Sequence, residues 1–228
     1  MVDYTKRPST PAAAPATPAA PVSLSKVTLT KSSPSVSLTK GGGASGVMRV
    51  NLNWNARPAG QGGGGFLKKL SGAASGNIDL DLGCLWELQS GEKGVVQALG
   101  NAFGSLQQAP YVSLDGDDRS GTNSGGENLQ INLDRLDQIK RVLVFAFIYE
   151  GVPAWDKADG VVTLFPVGGA PIEVRLDGSS SARMCAIALL TNEGGSLKVN
   201  HEVQYVNGGQ SKLDEAYGWG MNWTPGRK

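Results

Sequence analysis

Acidic side chains gather in two short stretches, and oxygen-rich clusters of this kind suit a hard cation. The first stretch, "NIDLDLGCLWEL" (77–88), places Asp79 and Asp81 two residues apart. The second, "SLDGDDRSGTNSGGEN" (113–128), sets Asp115, Asp117, Asp118 and Glu127 among glycines and hydroxyls. Short carboxylates in a glycine-rich loop can wrap a Ca²⁺ ion, which takes about 6–8 oxygens from carboxylates, carbonyls and water. The bland alternative is a solvated strand face. Two carboxylates about 6 Å apart repel by roughly 0.7 kcal/mol in water and nearly 3 kcal/mol at an effective dielectric of 20. On an open face that costs little. Beneath a loop the pair needs a cation, a proton or a basic partner, and residue types alone leave the solvated face ahead.

Other chemistries fit less well. An EF-hand counted from Asp115 would put Arg119 at the fifth ligand position, Ser120 at the obligatory glycine and Gly126 at the terminal glutamate. Paired glycosidase carboxylates straddle their substrate, whereas Asp79 and Asp81 point the same way from one strand. His201 is the only histidine, so a Ser/His/Asp or Cys/His arrangement has one residue to draw on. It shares an apolar row with Leu197, Val199, Val203 and Tyr205, where a packing role is favoured. Zinc-type His and Cys clusters and a G-x-x-x-x-G-K-[ST] phosphate loop are absent from the sequence.

The elements that must position these groups read as strands. Ile78, Leu80, Leu82, Cys84 and Trp86 alternate with polar residues, the pattern of a half-buried strand. "VMRVNLNW" (47–54) alternates too, turning Met48, Val50, Leu52 and Trp54 inward. "RVLVFAFIYEG" (141–151) is apolar almost throughout, as expected of a central strand covered on both faces. "VVTLFPV" (161–167) and "PIEVRLDG" (171–178) form a hairpin, and "RMCAIALL" (183–190) pairs with "LKVNHEVQYV" (197–206). "VSLSK" (22–26), "VTLTK" (27–31) and "VSLTK" (36–40) repeat a strand-like unit with the terminal lysine that protects sheet edges, and are expected to pair as edge strands. Residues 94–114 are ambiguous, and "SKLDEAYGWGMNW" (211–223) reads as a short helix with an aromatic tail. Residues 1–21 are expected to be a disordered Pro/Ala-rich tail, and 55–76 a flexible glycine-rich insertion. The remainder, 22–228, is one all-β antiparallel sandwich with short helices.

Composition bounds the function. The 21 basic and 20 acidic residues give no field for general nucleic-acid binding. Neither a secretory leader nor a membrane-spanning apolar run is visible, so a cytoplasmic location is expected. Cys84 and Cys185 lie in apolar stretches and read as buried thiols.

Several motifs together resemble the TerD family of tellurium-resistance and stress proteins. "NIDLDLGCLWEL" is similar to that family's D-x-D-L-D strand, "GDDRSG" (116–121) to its G-D-N-x-T-G loop, and "GGENLQINL" (125–133) to the G-D-D-E-x-I-x-V-D-L that follows. "VSLTKGG" (36–42), "VNLNW" (50–54) and "VLVFAFIY" (142–149) match in the same order, so the resemblance spans about residues 22–205. It implies a β-sandwich binding Ca²⁺ through acidic loops at one end, with Asp79, Asp81, Asp117, Asp118 and Glu127 as ligands. It also implies a bacterial protein without enzymatic activity, from a stress operon linked to tellurite resistance. Its partners would be the operon's other proteins, with association at the inner membrane face. The chain departs from the pattern in carrying Asn77 for the first aspartate and Gly125-Gly126 for the acidic pair before Glu127, as a divergent member of the TerA branch would. Fewer carboxylates imply weaker binding or a single Ca²⁺. Two readings follow: a Ca²⁺-binding scaffold, or a metal-free interaction module that kept the sandwich. A hydrolase or carbohydrate-binding sandwich ranks well below both.

Overall fold

The computed structural model describes residues 25–39, 44–55, 78–115, 125–151 and 155–224. The Pro/Ala-rich tail and nearly all of the glycine-rich insertion lie outside them, as do Asn77, Asp117 and Asp118. Among the described residues the strands are β1 (Val27–Thr28), β2 (Ser35–Leu38), β3 (Val47–Asn53), β4 (Asp79–Leu88), β5 (Lys93–Gln97), β6 (Gly104–Ser105), β7 (Val112–Leu114), β8 (Glu127–Asn132), β9 (Ile139–Glu150), β10 (Gly160–Phe165), β11 (Ile172–Leu176), β12 (Met184–Glu193) and β13 (Ser196–Val206). Two short helices join them, α1 (Trp155–Ala158) and α2 (Gln210–Tyr217).

The strands form two sheets. One runs β1-β11-β10-β3-β8-β7-β6 and the other β2-β13-β12-β9-β4-β5. Every pairing is antiparallel except that of β1 with β11, where Val27 stands opposite Ile172. The ambiguous stretch 94–114 resolves into β5, β6 and β7 with a single 3₁₀ turn at Leu99–Asn101. The hairpins expected at 161–178 and 183–206 are β10–β11 and β12–β13.

Period-two alternation explains the main core. Met48, Val50 and Leu52 of β3 are fully buried, and the residues between them face outward. They meet Leu80, Leu82 and Cys84 of β4 and Val142, Val144 and Ala146 of β9 across the gap between the sheets. A second, smaller cluster lies on the outer face of the six-stranded sheet. There Leu85, Leu143, Phe145, Met184 and Ala186 are covered by Leu213 of α2 and by Trp219. This cover is why residues 142–148 of β9 form a continuous apolar run, as a strand segment buried on both faces must.

The C-terminal cover is held by directed contacts. Gly218 ends α2 in the left-handed conformation at φ 61°, the usual glycine stop of a helix. The buried Asp214 carboxylate then accepts from Gly220 N at 2.7 Å, Met221 N at 2.9 Å and Trp223 Nε1 at 2.9 Å. The Arg141 guanidinium stacks 3.7 Å over the Trp219 ring and donates to the Tyr217 and Gly218 carbonyls. On the same face, the Tyr217 hydroxyl meets Glu202 and Gln204 of β13.

The second and third pentapeptides supply edge strands that do not pair with each other, and most of the first (22–26) lies outside the described residues. β1 borders the seven-stranded sheet and β2 the six-stranded one. The chain between them crosses from one sheet to the other. Leu29 is buried under this crossing with its N–H on Glu173 O, and Pro34 O receives the N–H of His201.

Candidate functional site

The acidic strand departs from its expected half-buried state. Asp81 is 0 % exposed and Asp79 7 %, so neither lies on a solvated face. The alternation itself holds: Leu80, Leu82 and Cys84 enter the main core, while Leu85, of the same parity as Asp79 and Asp81, enters the outer cluster. Around Leu85 that second face is covered by Leu213 and Trp219, which are distant in sequence and which alternation does not encode. A carboxylate taken out of water carries a desolvation cost of several kcal/mol unless charge or hydrogen bonds compensate it. The start of the strand is pinned by the buried Trp54 indole, whose Nε1 donates to Ile78 O at 3.0 Å.

Glu127 opens β8 in the opposite sheet and is 2 % exposed. Its Oε2 accepts the backbone N–H of Leu82 at 2.6 Å, so one carboxylate links β8 of one sheet to β4 of the other. The structure thus brings Glu127 to the strand that carries Asp79 and Asp81. Asp117 and Asp118 fall outside the described residues. Their loop departs after Asp115, whose carboxylate accepts Asn128 N at 3.1 Å, and returns at Gly125, whose carbonyl accepts the Asn51 amide. Both anchors flank Glu127. Among the described residues, no three His, Cys, Asp or Glu side chains gather closely enough to hold a metal ion. Asp79, Asp81 and Glu127 therefore do not make a complete cation site on their own.

Gly126 explains one departure from the family pattern. It sits at φ 59°, and a Cβ there would lie 2.1 Å from the carbonyl oxygen of Leu52. The backbone next to Glu127 has closed on β3 in a way that excludes any side chain, a carboxylate included.

At the far end of β4, Glu87 is 4 % exposed. Burial pushes its carboxyl up, but hydrogen bonds and charge from Lys140 and Arg141 outweigh this and hold it below the usual carboxylate range. Its oxygens lie 2.8 Å from Lys140 Nζ and 2.5 Å from Arg141 Nε. Sequence reasoning missed this triad and the Asp214 clasp. The first depends on the register that sets Glu87 opposite Arg141, which one sequence does not show. Asp214 carries no signal of its own within a polar helix.

Cys84 and Cys185 are fully buried, and burial pushes both thiols up, so neither is poised as a thiolate. His201 lies half-buried on the inward row of β13 with Leu197 and Val199. No helix of the described residues is long and apolar enough to cross a membrane.

Over 208 residues, 91 % of its length, the chain is 50 % identical to the tellurium resistance protein TerA of an Alcaligenes species. The chain is a relative of TerA. It spans 60 % of that protein's length. No family model matches. Among solved structures, a protein of unknown function, SAV2460, is similar at a TM-score of 0.52 and 16 % identity, covering 72 % of this chain and 92 % of its own, which supports the shared fold. A homologue of the telluride resistance protein TerD, SCO6318 from Streptomyces coelicolor A3(2), matches at a TM-score of 0.46 and 19 % identity, over 72 % of this chain and 91 % of its own.

Proposed function

We propose that the chain is a non-enzymatic, Ca²⁺-binding scaffold of a bacterial tellurite-resistance system, acting in the cytoplasm with other proteins of that system and at the inner membrane face. The observation that carries the metal reading is the deep burial of Asp79 and Asp81 on the strand to which Glu127 reaches from the opposite sheet. A bound Ca²⁺ would offset the mutual repulsion of these carboxylates. Asp79, Asp81 and Glu127 would hold it together with Asp117 and Asp118, and the loop would be ordered as a surface for partners. The relationship to TerA supports the tellurite-resistance setting.

The test is titration of Ca²⁺ into the metal-stripped chain by calorimetry, with thermal melts alongside. A ligand that binds only the folded state at a hundred times its Kd adds about 2.7 kcal/mol of stability. A saturable heat with a rise in Tm is expected. Neither signal at millimolar Ca²⁺ would sink the metal reading.

Gly126 favours a second reading, a metal-free interaction module of the same fold, because the backbone there leaves no room for the carboxylate of the family pattern. Under it, Asp81→Ala would change stability by the same amount with and without Ca²⁺. Under the first reading the two values differ.

A further inference from the structure

Two features that the metal reading leaves unused meet in one place. The "VTLTK" copy and the single histidine both border a cavity of about 240 Å³ at the open side of the sandwich. There the chain crosses from β1 toward β2, between β11 of one sheet and β13 of the other. Thr28, Thr30 and Lys31 come from the repeat, Arg175 and Asp177 from β11 and its end, and His201 from β13. Four of these groups are donors suited to an anion: a guanidinium, an ammonium and two hydroxyls. The imidazole adds a fifth. Two fixed cations stand against one carboxylate, so the cavity carries a net positive charge within a chain that is nearly neutral.

The local backbone is shaped for this opening. β12 carries a bulge between Ala186 and Ala188 where it pairs with β9 and β13. Opposite it, Val203 takes φ 40°, a conformation a β-branched residue rarely adopts, and it borders the cavity. Strain of this kind persists where surrounding structure imposes it, and it gathers at ligand sites. Arg175 is fixed from behind by Glu173, whose Oε1 lies 3.2 Å from its Nη2, while Lys26 Nζ holds the other Glu173 oxygen at 2.6 Å.

We propose that this cavity binds a small inorganic oxyanion, with Arg175 and Lys31 supplying charge, Thr28 and Thr30 hydroxyl donors, and His201 a further hydrogen bond. Asp177 opposes the anion and limits affinity. The site is independent of the acidic end of β4 and needs no divalent cation.

Calorimetric titration of the full chain, stripped of Ca²⁺, with sodium phosphate, sulfate and tellurite tests this, with sodium chloride as the ionic-strength control. One saturable site per chain is expected for at least one of the three, and the anion that binds best identifies the ligand. Arg175→Gln should weaken it about tenfold or more, as loss of a charge-assisted contact does, and His201→Gln more modestly. Asp177→Asn should tighten it several-fold, a gain that misfolding cannot imitate. Binding no stronger than the chloride control, or an affinity unmoved by both Arg175→Gln and Asp177→Asn, would overturn the proposal.

Discussion

Glu87 and Glu127 are buried to nearly the same degree against the same strand, yet they are held in different ways. Glu87 lies between two cations, Lys140 and Arg141, supplied by β9. Glu127 reaches across the sandwich to a neutral backbone N–H, that of Leu82. Charge against charge makes the first a fixed strut, complete within the sheet and its C-terminal cover. Glu127 instead ties β4 to the opposite sheet through that backbone contact. The difference separates a structural end of β4 from the end where ligand chemistry is proposed.

The contrast can be broken most forcefully through Arg141. Arg141→Ala removes a partner of buried Glu87 and the cap over Trp219 together, and should cost about 3–5 kcal/mol in denaturant unfolding, unaltered by Ca²⁺. Gly126→Ala should cost about 2–3 kcal/mol, from a left-handed backbone and a Cβ driven onto Leu52 O. If it is tolerated, the closure of β8 on β3 is looser than described, and the argument against a carboxylate there falls with it. Glu127→Ala leaves the Leu82 N–H without its acceptor and should cost about 1–3 kcal/mol. Glu127→Gln keeps an acceptor and should cost less in the metal-free chain, but should abolish any Ca²⁺-dependent rise in Tm. A Ca²⁺ effect that survives Glu127→Gln would separate this residue from the metal.

The smallest effect is in pH dependence. The Glu87 carboxyl is held below its ordinary value, so its contribution is complete above the carboxylate range. It is lost as pH falls through the lowered folded value, where the unfolded state binds the proton more readily. Urea midpoints measured from pH 6 down to about pH 3 should therefore fall less steeply for Glu87→Gln than for the parent chain. Parallel curves would mean that the triad is not coupled to protons.

How much was legible in the sequence follows from which interactions are local. The alternation of β3 and the continuous apolar run of β9 each report their own burial, and both strands form as read. β4 was placed correctly but credited with a solvated face; where that face is covered at Leu85, the cover comes from α2 and Trp219, more than a hundred residues later, which alternation does not encode. Two of the lysine-tipped repeats were legible as edge strands, while their assignment to separate sheets depends on a crossing that periodicity does not encode. At the site, the deep burial of Asp79 and Asp81 was not readable from parity. Nor was the reach of Glu127 to Leu82, since it depends on how the sheets stack.

The crossing between β1 and β2 also bears on aggregation. One short stretch pairs with β11 in one sheet and β13 in the other, so it blunts both sheets on the same side. Its two strands are brief, and such edges make poor templates for another chain. Proteolysis within residues 25–39 would uncover the long β13 and the edge of β11 in a single event. The clipped chain would then present two open strand edges side by side, and its solubility would be expected to fail well before its core unfolds.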